Sequence, residues 1–540
     1  MVSLTINNKK VSAEEGQTLL EVAESLGIGI PVMCRNAAVE HFTSCMICLV
    51  KDLSSGRLLP SCSVLVQSGM DILTEDEELK EARRVALELL LSEHVGDCEA
   101  PCRIACPAFM DIPLMNRLLA AGEAERALAV VMHDIALPGV LGRICPAPCE
   151  GACKRKPIDE AVSVCLLKRY AADQGMPIPR KEKKKATGKR VAVIGAGPAG
   201  LAAAYYLQMK GIQAVVVDKY ERAGGSLRYD IPDDHLDKVV LDREVGHIEQ
   251  TGVVFRLGQH IDHKGFTALR KDYDAVVVAT GNYVAAMDGW GLENNGKQLL
   301  VNKATYQTNL DRVFAIGNAN RSMQLAIRSQ AQGKEVAVAI EQLFRGEEVT
   351  GETRRFNSSF GRLLPEEHAE YLKEGTTSPR QHPATGDTDT GDTGAGSNTV
   401  SGATSFNGSD FDAAGFDAAQ ARTEAARCLH CDCRKPDSCS LRLYAEAYGA
   451  SKKRFSYGQR KPLTKQMQHT GVVYEPGKCI KCGICVRLTA KHQETFGFTF
   501  IGRGFDVEIG VPFNEPVSAA LEKTAGIVAD ACPTGALSAP

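Results

Sequence analysis

The stretch RVAVIGAGPAGLAAAYYLQMKGIQAVVVDKY, residues 190–220, decides the fold of the middle of this chain. An apolar strand runs into Gly195-x-Gly197-x-x-Gly200, an Ala-rich helix follows, and a second apolar strand ends at Asp218. The glycines allow a tight turn and the close approach of a pyrophosphate to the helix N-terminus. An acidic residue about twenty positions later can bind a ribose hydroxyl. The stretch therefore predicts a Rossmann-like unit that binds a dinucleotide.

Three later segments indicate which dinucleotide is bound. ERAGGSLRYDIP (221–232), YDAVVVATG (273–281) and LDRVFAIGNANRS (310–322) resemble, in this order, the flavin-contacting motifs of the glutamate synthase small subunit. Asn318 stands where that family usually has Asp, so this contact keeps hydrogen bonding without the charge. The resemblance implies bound FAD, held by Gly195, Gly197, Gly200, Asp218, Gly224, Gly225, Gly281, Gly317 and Asn318.

The interval between the last two flavin motifs is short. In the glutamate synthase family it holds a nicotinamide-binding domain with its own glycine fingerprint, whereas here residues 282–316 have no second GxGxxG. A βαβ unit alone needs about 30 residues. The resemblance therefore implies an FAD domain that lacks the inserted NAD(P)H domain. Binding of a nicotinamide directly over an exposed flavin remains an alternative.

Length and composition restrict the remaining classes. With 540 residues the chain is too long for one core, and a formal net charge of −3 gives no nucleic-acid signature. No apolar run approaches the ~18 residues of a membrane span. The first residues, MVSLTINNKK, lack the pattern of a signal peptide, so we expect a cytoplasmic protein. In that compartment the 19 cysteines predict metal ligation rather than disulfides.

The first cysteine group has the spacing C-x10-C-x2-C-x13-C between Cys34 and Cys62. Alternating strands and an amphipathic helix around it predict a small β-grasp sheet. PVMCRNAAVEHFTSCMICLV and LLPSCSV resemble the 2Fe-2S domain of the 75 kDa subunit of respiratory complex I and of iron-only hydrogenases. The resemblance implies a 2Fe-2S cluster on Cys34, Cys45, Cys48 and Cys62.

The second group, from CEAPCRIACP to GRICPAPCEGAC, resembles the helical domain with two 4Fe-4S clusters in the glutamate synthase small subunit and dihydropyrimidine dehydrogenase. His94 precedes Cys98 by an H-x3-C step that resembles the His-ligated cluster of the 75 kDa subunit. Cys165 lies one helical turn before Lys168, which aligns with a glutamine ligand of dihydropyrimidine dehydrogenase. The implied sets are His94, Cys98, Cys102 and Cys153 for one cluster, and Cys106, Cys145, Cys149 and Cys165 for the other. A solvated helix-end histidine and a buried core thiol are the alternatives for His94 and Cys165.

The third and fourth groups lie near the C-terminus. RCLHCDCRKPDSC carries Cys428, Cys431, Cys433 and Cys439, a spacing that fits either a 4Fe-4S cluster or a structural zinc. Because the other groups indicate iron and sulfur, we expect a 4Fe-4S cluster here. KCIKCGICVRLTA and the later ADACPTGAL resemble a bacterial-type ferredoxin and imply one 4Fe-4S cluster on Cys479, Cys482, Cys485 and Cys532.

We therefore expect a multidomain α/β and α+β chain. A β-grasp 2Fe-2S domain (1–78) precedes a helical two-cluster domain (79–180) and a Rossmann-like FAD domain (188–348). A Gly-, Thr-, Ser- and Asp-rich stretch predicts a flexible linker (370–420). The Cys-rich motif (421–450) and a ferredoxin-like module (470–540) complete the chain.

The expected function is that of an FAD-dependent iron–sulfur oxidoreductase subunit, because the chemistry lies in the cofactors and no catalytic side-chain constellation stands out. Expected partners are a hydrogenase, a molybdenum or tungsten enzyme, an NADH-oxidising subunit, or ferredoxin. The alternatives are a direct NAD(P)H dehydrogenase or electron-bifurcating subunit, and a non-catalytic electron conduit with a vestigial flavin site.

Overall fold

A computed structural model describes residues 1–174, 184–282, 285–322, 325–383, 415–456, 458 and 460–540. The chain divides into two compact units, and both are assembled from segments distant in sequence. The first unit comprises Met1–Ala100, Arg355–Glu374 and Cys431–Pro540. The second unit comprises Pro101–Arg354 and Gly375–His430.

The strands are β1 (Val2–Ile6), β2 (Lys9–Ala13), β3 (Leu49–Asp52), β4 (Leu58–Pro60), β5 (Asp71–Leu73), β6 (Arg190–Ile194), β7 (Gln213–Val217), β8 (Val254–Arg256), β9 (Ala275–Val278), β10 (Val313–Ala315), β11 (Gln466–His469), β12 (Val472–Tyr474), β13 (Thr499–Ile501), β14 (Glu508–Gly510) and β15 (Leu537–Ser538). The α-helices are α1 (Leu19–Ser25), α2 (Glu77–Ser92), α3 (Pro101–Ala105), α4 (Ile112–Ala120), α5 (Ala124–Asp134), α6 (Pro138–Ile144), α7 (Pro148–Gly151), α8 (Val164–Gln174), α9 (Pro198–Met209), α10 (Ser226–Tyr229), α11 (Lys238–Gln250), α12 (His263–Asp272), α13 (Ala326–Arg345), α14 (His368–Leu372), α15 (Ala418–Ala425), α16 (Ser440–Ala447), α17 (Ile484–Lys491), α18 (Val517–Ala520) and α19 (Ala525–Ala531). Short 3-10 turns occupy Ala285–Trp290, Gly317–Ala319, Pro365–Glu367, Pro476–Lys478, Gly504–Asp506 and Pro512–Asn514.

The N-terminal part of the first unit is a mixed sheet in the order β2-β1-β5-β3-β4, in which β1 and β5 are parallel and the other pairs antiparallel. Helix α1 begins at a capping box, because Thr18 accepts from the Glu21 N–H and Glu21 accepts from the Thr18 N–H. Leu19, Leu20 and Val22 of α1 are buried in the core of this sheet. These residues form one helix packed on a small mixed sheet, and the β-grasp assignment stays a prediction.

The second unit contains a parallel sheet in the order β10-β9-β6-β7-β8. Strands β6, β7 and β9 are buried almost throughout, as expected when helices cover both faces of a parallel sheet. Gly333 of α13 lies against α9, and a Cβ at Gly333 would come within 2.7 Å of the Ala199 carbonyl oxygen. The close approach of α9 and α13 holds the glycine-rich turn that precedes α9.

The predicted linker begins later than residue 370. Helix α14 covers His368–Leu372, and the Tyr371 side chain is buried. In the second unit, Arg380 pairs with Glu150 at 2.8 Å and donates to Ser163 Oγ. Residues 384–414 of the predicted linker lie outside the described residues.

No single helix in the described ranges is long and apolar enough to cross a membrane. Helices α5 and α6 reach that length and apolar character only when taken together, and they are bent by 84° relative to each other.

A buried carboxyl connects α6 to α11 inside the second unit. The two Glu244 carboxyl oxygens accept from the Gly139 N–H at 2.5 Å and the Val140 N–H at 2.9 Å, in the first turn of α6. Burial raises the pKa of Glu244 to about 7, although both backbone donors lower it. The contact satisfies two amides that the start of a helix leaves without a partner.

We expect Glu244→Ala to lower the free energy of unfolding of the second unit by about 2–4 kcal/mol, because two buried N–H groups lose their acceptor. The measurement is thermal and urea unfolding of the purified chain. Asp242→Ala is the matched control, since Asp242 is an exposed carboxylate on the same helix. Equal stability of the two variants would contradict the role of Glu244.

Candidate functional site

A cavity of about 600 Å³ opens at the carboxyl end of the parallel sheet in the second unit. Gly195 follows β6 with φ +115°, and a Cβ there would collide with the Ala279 carbonyl. A Cβ at Gly200 would overlap the Gly195 carbonyl oxygen. These two glycines are therefore required by the turn itself, and their roles in binding FAD stay predictions.

Gly197 has a different role in the same turn. It precedes α9, lines the cavity, and a Cβ on it would have no protein atom nearer than the Gly225 Cα at 3.9 Å. Gly225 also lines the cavity and has φ +53°. The absence of side chains at both positions leaves a cradle beside the α9 N-terminus, which suits a pyrophosphate.

The remaining predicted flavin contacts also border the cavity, with one exception. Asp218, Gly281, Gly317 and Asn318 line it, while Gly224 lies beside it with φ +131°. Asp218 accepts from the Ala196 N–H at 2.6 Å and from the Tyr220 N–H at 2.8 Å, so its carboxylate also holds the glycine-rich turn in place.

Two side chains of this site, one that lines the cavity and one that supports a lining segment, were not predicted from the sequence. Trp290 stacks on Phe266 with ring centroids 4.4 Å apart, and its buried Nε1 has no hydrogen-bond partner among the described residues. Gln332 accepts from the Gly317 N–H at 2.7 Å and so positions the last flavin motif. An orphaned donor, a glycine cradle and an acidic residue at the end of β7 together fit a bound dinucleotide. Neither Trp290 nor Gln332 lies in a recognisable motif.

A set of four thiols lies directly beside this cavity. Cys145, which lines the cavity, follows α6, and its thiol contacts the thiol of Cys165 on α8. This contact lowers the pKa of Cys145 to about 5. The charges of Cys106, Cys145, Cys149 and Cys165 all act on the buried ammonium of Lys168. The structure therefore brings together the four cysteines predicted for one 4Fe-4S cluster, and their roles as ligands remain a prediction.

Lys168 is the cation of this thiol set. Its Nζ lies 3.8 Å from the Cys165 Sγ, and its side chain is 3% exposed. Burial lowers the pKa of Lys168, but the surrounding thiols outweigh burial and raise it overall. Lys168 occupies the position that aligns with a glutamine ligand, and here it faces the thiols as a positive charge.

The four cysteines of the first group also come together. The Cys45 and Cys34 sulfurs are 3.5 Å apart, and the Cys48 and Cys62 sulfurs are 3.1 Å apart. The Cys62 thiol lowers the pKa of Cys48 to about 7. All four side chains are at most 2% exposed, so they could hold a 2Fe-2S cluster away from water.

His41 also lies among the thiols of this group, although the cysteine spacing did not predict it. Its Nε2 lies 3.1 Å from the Cys62 Sγ, and ligand atoms of Cys34, His41 and Cys62 lie within 4.8 Å of one another. The turn that carries the cysteines brings the ring back onto the thiols.

The fourth group surrounds a small apolar cavity in the first unit. Cys479, Cys482, Cys485 and Cys532 line it together with Tyr474 and Ile509. Burial raises the pKa of Cys479 and of Cys482 to about 12. The Cys34 thiol also acts on Cys482, so the first and fourth groups are neighbours within one unit.

Two cysteines of the third group lie near a cysteine of the second group. The thiols of Cys433 and Cys439 lie with that of Cys98, close enough for their charges to interact. The Cys433 N–H donates to the Cys98 carbonyl oxygen at 3.1 Å. The predicted cluster of Cys98 with Cys102 and Cys153, and that of Cys428, Cys431, Cys433 and Cys439, stay predictions.

His94 follows α2 by two residues in the first unit. Burial, Lys452 and Lys478 together lower the pKa of His94 to about 3. Its role as a ligand stays a prediction. Cys428 lies in the second unit and Cys431 in the first, and both remain predicted ligands.

We expect Gly197→Ala to abolish most FAD retention while the fold survives, because the added methyl meets no protein atom but occupies the cradle. A loss of about tenfold or more in FAD affinity is expected, which corresponds to about 1.4 kcal/mol. The measurement is bound flavin per chain, followed by FAD titration. Gly246→Ala, in an open position on α11, is the control. Unchanged FAD binding in Gly197→Ala would contradict the cradle.

We expect Lys168→Met to lower the midpoint potential of the cluster beside the cavity. A buried positive charge stabilises the reduced, more negative cluster, and its removal should shift the potential by on the order of tens of millivolts. The measurement is an EPR-monitored redox titration. Lys156→Met serves as the control, because Lys156 is an exposed lysine of the same unit. A potential that stays unchanged, or rises, would show that Lys168 does not act on the cluster.

Comparison with known proteins shows four modules along the chain. A family model for a 2Fe-2S iron–sulfur cluster binding domain matches residues 1–77, and one for dihydropyrimidine dehydrogenase domain II, 4Fe-4S cluster, matches residues 70–178. A pyridine nucleotide-disulphide oxidoreductase model matches residues 183–333. A model for the ferredoxin-like domain of NADH-quinone oxidoreductase subunit 3 matches residues 471–538. The predicted 2Fe-2S, 4Fe-4S and FAD modules are confirmed.

Curated relatives match parts of the chain. It is 33% identical over 269 residues to the NADP(+)-dependent formate dehydrogenase subunit beta of Moorella thermoacetica, covering 43% of this chain and 38% of the relative. It is 37% identical over 200 residues to the glutamate synthase (NADPH) small chain of Bacillus subtilis, covering 34% and 40%. It is 34% identical over 206 residues to the NADPH-Fe(3+) oxidoreductase subunit beta of Geobacter sulfurreducens, covering 36% and 30%.

The matched segment spans less than half the length of each of these relatives. Among solved structures, an NAD+-reducing NiFe hydrogenase matches 22% of this chain and 49% of its own, with 29% identity and a TM-score of 0.17. The four matched models thus describe a chain that combines 2Fe-2S, 4Fe-4S and ferredoxin-like modules with an FAD-type oxidoreductase domain.

Proposed function

We propose that this chain is an electron-transferring subunit that passes electrons between iron–sulfur clusters and an FAD in its second unit. The observation that carries the proposal is the position of Cys145, which belongs both to the lining of the flavin cavity and to a set of four clustered thiols. FAD exchanges one or two electrons when bound. The protein supplies the cavity, the nearby thiols and the charge of Lys168.

The cavity wall explains why the two sites are close. Leu141, Ile144, Cys145 and Pro146 line the cavity from the end of α6. The same turn leads to Cys149 on α7, so one short segment serves both sites. The Glu150 carboxylate accepts from the Cys165 N–H at 2.9 Å, which ties the start of α8 to this segment. A cluster held here would be adjacent to the flavin without any intervening domain.

The first unit offers a second series of sites. Cys34, Cys45, Cys439, Cys482 and Cys485 belong to one hydrophobic core. Because Cys482 is a neighbour of Cys34, the proposed 2Fe-2S and ferredoxin-like clusters would be close enough to exchange electrons. Such a series suits a one-electron relay to or from an external carrier.

The segment between the last two flavin motifs supports a partner-fed flavin. Between Gly281 and Gly317, the described residues form the turn Ala285–Trp290 and the strand β10, which pairs in parallel with β9. A second dinucleotide-binding unit is not present in that described stretch. We therefore propose that reducing equivalents reach this FAD domain from another protein rather than from NAD(P)H bound by a domain of this segment.

The relatives' names suggest the class of partner. They are subunits named for formate dehydrogenase, glutamate synthase and NADPH-Fe(3+) oxidoreductase. We propose a partner redox subunit, such as a hydrogenase, a molybdenum or tungsten enzyme or an NADH-oxidising subunit, or a free ferredoxin. The proposed clusters of the first unit would exchange electrons with this partner, because iron–sulfur clusters carry one electron at a time.

We expect neither NADH nor NADPH to bleach the flavin of the isolated chain within minutes under anaerobic conditions, whereas reduced ferredoxin bleaches it. The reason is that the described residues between Gly281 and Gly317 form no second dinucleotide-binding unit. The measurement is flavin absorbance during anaerobic titration, with the FAD-depleted Gly197→Ala variant as the blank.

Rapid bleaching by either nucleotide would contradict the partner-fed flavin and favour a direct dehydrogenase. A chain that holds all its iron but neither retains nor rebinds FAD would instead favour the conduit without a working flavin. The bound flavin and iron contents of the same preparation separate these outcomes.

A further inference from the structure

Cys98 is fixed by backbone contacts to two distant segments of the first unit. Its N–H donates to the Ser358 carbonyl oxygen at 3.0 Å, and its carbonyl oxygen accepts from the Cys433 N–H at 3.1 Å. The Ser358 N–H also lies 3.4 Å from the Cys98 Sγ. The Cys98 thiol is therefore placed beside Cys433 by main-chain geometry and not by a flexible side chain.

Cys433 and Cys439 complete a buried group of three thiols. Cys98, Cys433 and Cys439 are 8%, 7% and 6% exposed. Cys439 precedes α16, and the neighbouring Ser440 N–H donates to the Pro533 carbonyl oxygen at 2.8 Å, which fixes that end of the group. A Cβ at Gly535 would overlap the Cys433 Sγ, so the thiol packs directly onto backbone.

Positive charges surround these thiols. Arg442 on α16 acts on Cys98 and pairs with Glu99 at 2.5 Å. Lys478 acts on Cys433 and pairs with Glu475 at 2.6 Å. Each cation already has a carboxylate partner, so the grouping of three buried thiols beside these ion pairs is what points to a metal–thiolate site.

The imidazole of His94 lies near the same place. Its Nε2 would be 3.3 Å from a Cβ at Gly96, and the Lys478 Cε would be 2.7 Å from that Cβ. A Cβ at Gly535 would lie 3.7 Å from the Lys478 Cδ and would overlap the Cys433 Sγ. His94 and Cys433 therefore both lie near the side chain of Lys478.

We propose that Cys98, Cys433 and Cys439 bind one iron–sulfur cluster of the first unit, with His94 as its fourth ligand. This assignment takes Cys98 away from Cys102 and Cys153 and divides the motif RCLHCDCRKPDSC between two sites. It does not depend on the direction of electron flow or on the identity of the partner.

The test is the iron content of three variants, Cys98→Ala, Cys439→Ala and the double variant, purified anaerobically. We expect each single variant to lose about four iron atoms per chain and the same EPR signal. The double variant should lose no more than either single variant. His94→Ala should alter that same signal. The control double variant, Cys98→Ala with Cys106→Ala, should lose about eight iron atoms, because Cys106 belongs to the second unit.

Loss of about eight iron atoms in the Cys98/Cys439 double variant would overturn the proposal, because the two residues would then serve different clusters. Loss of zinc with unchanged iron in Cys439→Ala would also overturn it. An EPR signal that is unaffected by His94→Ala would remove His94 from the ligand set.

Serine variants separate the loss of a ligand from misfolding of the chain. Cys98→Ser and Cys439→Ser retain a potential oxygen ligand, and we expect both to shift one and the same EPR signal. FAD content and far-UV circular dichroism should equal those of the unmodified chain. Shifts in two different signals would overturn the proposal independently of iron counts.

Discussion

The physical constraint on which this structure depends is that sulfur ligands must meet in groups, out of water. The sulfurs of Cys48 and Cys62 illustrate how close the thiols within one group are. They lie 3.1 Å apart, and both residues are at most 2% exposed. Thiolates at such distances repel one another unless a metal compensates their charge. We therefore expect cluster insertion to be coupled to folding of these segments, as in other metal-dependent folds.

The same constraint explains why each unit is assembled from distant segments. Main-chain hydrogen bonds join Cys98 to Ser358 and to Cys433, which lie more than 250 positions away along the chain. In the second unit, Cys106 and Cys165 come from separate helical segments and meet around Lys168. Segments that are distant along the chain therefore meet at the thiol groups. The flavin cavity adjoins one of these groups through Cys145.

The sequence predicted the elements well where local chemistry determines them. The turn at Gly195 and Gly200 follows from steric overlap that any side chain would cause. The helix that carries Cys165 and Lys168 follows from periodicity, which also places both on one face. Trp290, His41 and Gln332 were not predictable, because each acts through a contact with residues that no motif links to it.

By itself, the sequence determined the types of cofactor, since the FAD fingerprint and the cysteine spacings reflect local backbone geometry around a phosphate or a metal. It also indicated that residues 282–316 are too short for a second dinucleotide domain. Only the tertiary structure decided which thiols share a neighbourhood, above all that Cys98 lies with Cys433 and Cys439. The reason is that ligand grouping depends on long-range chain pairing and burial, which spacing along the chain does not encode.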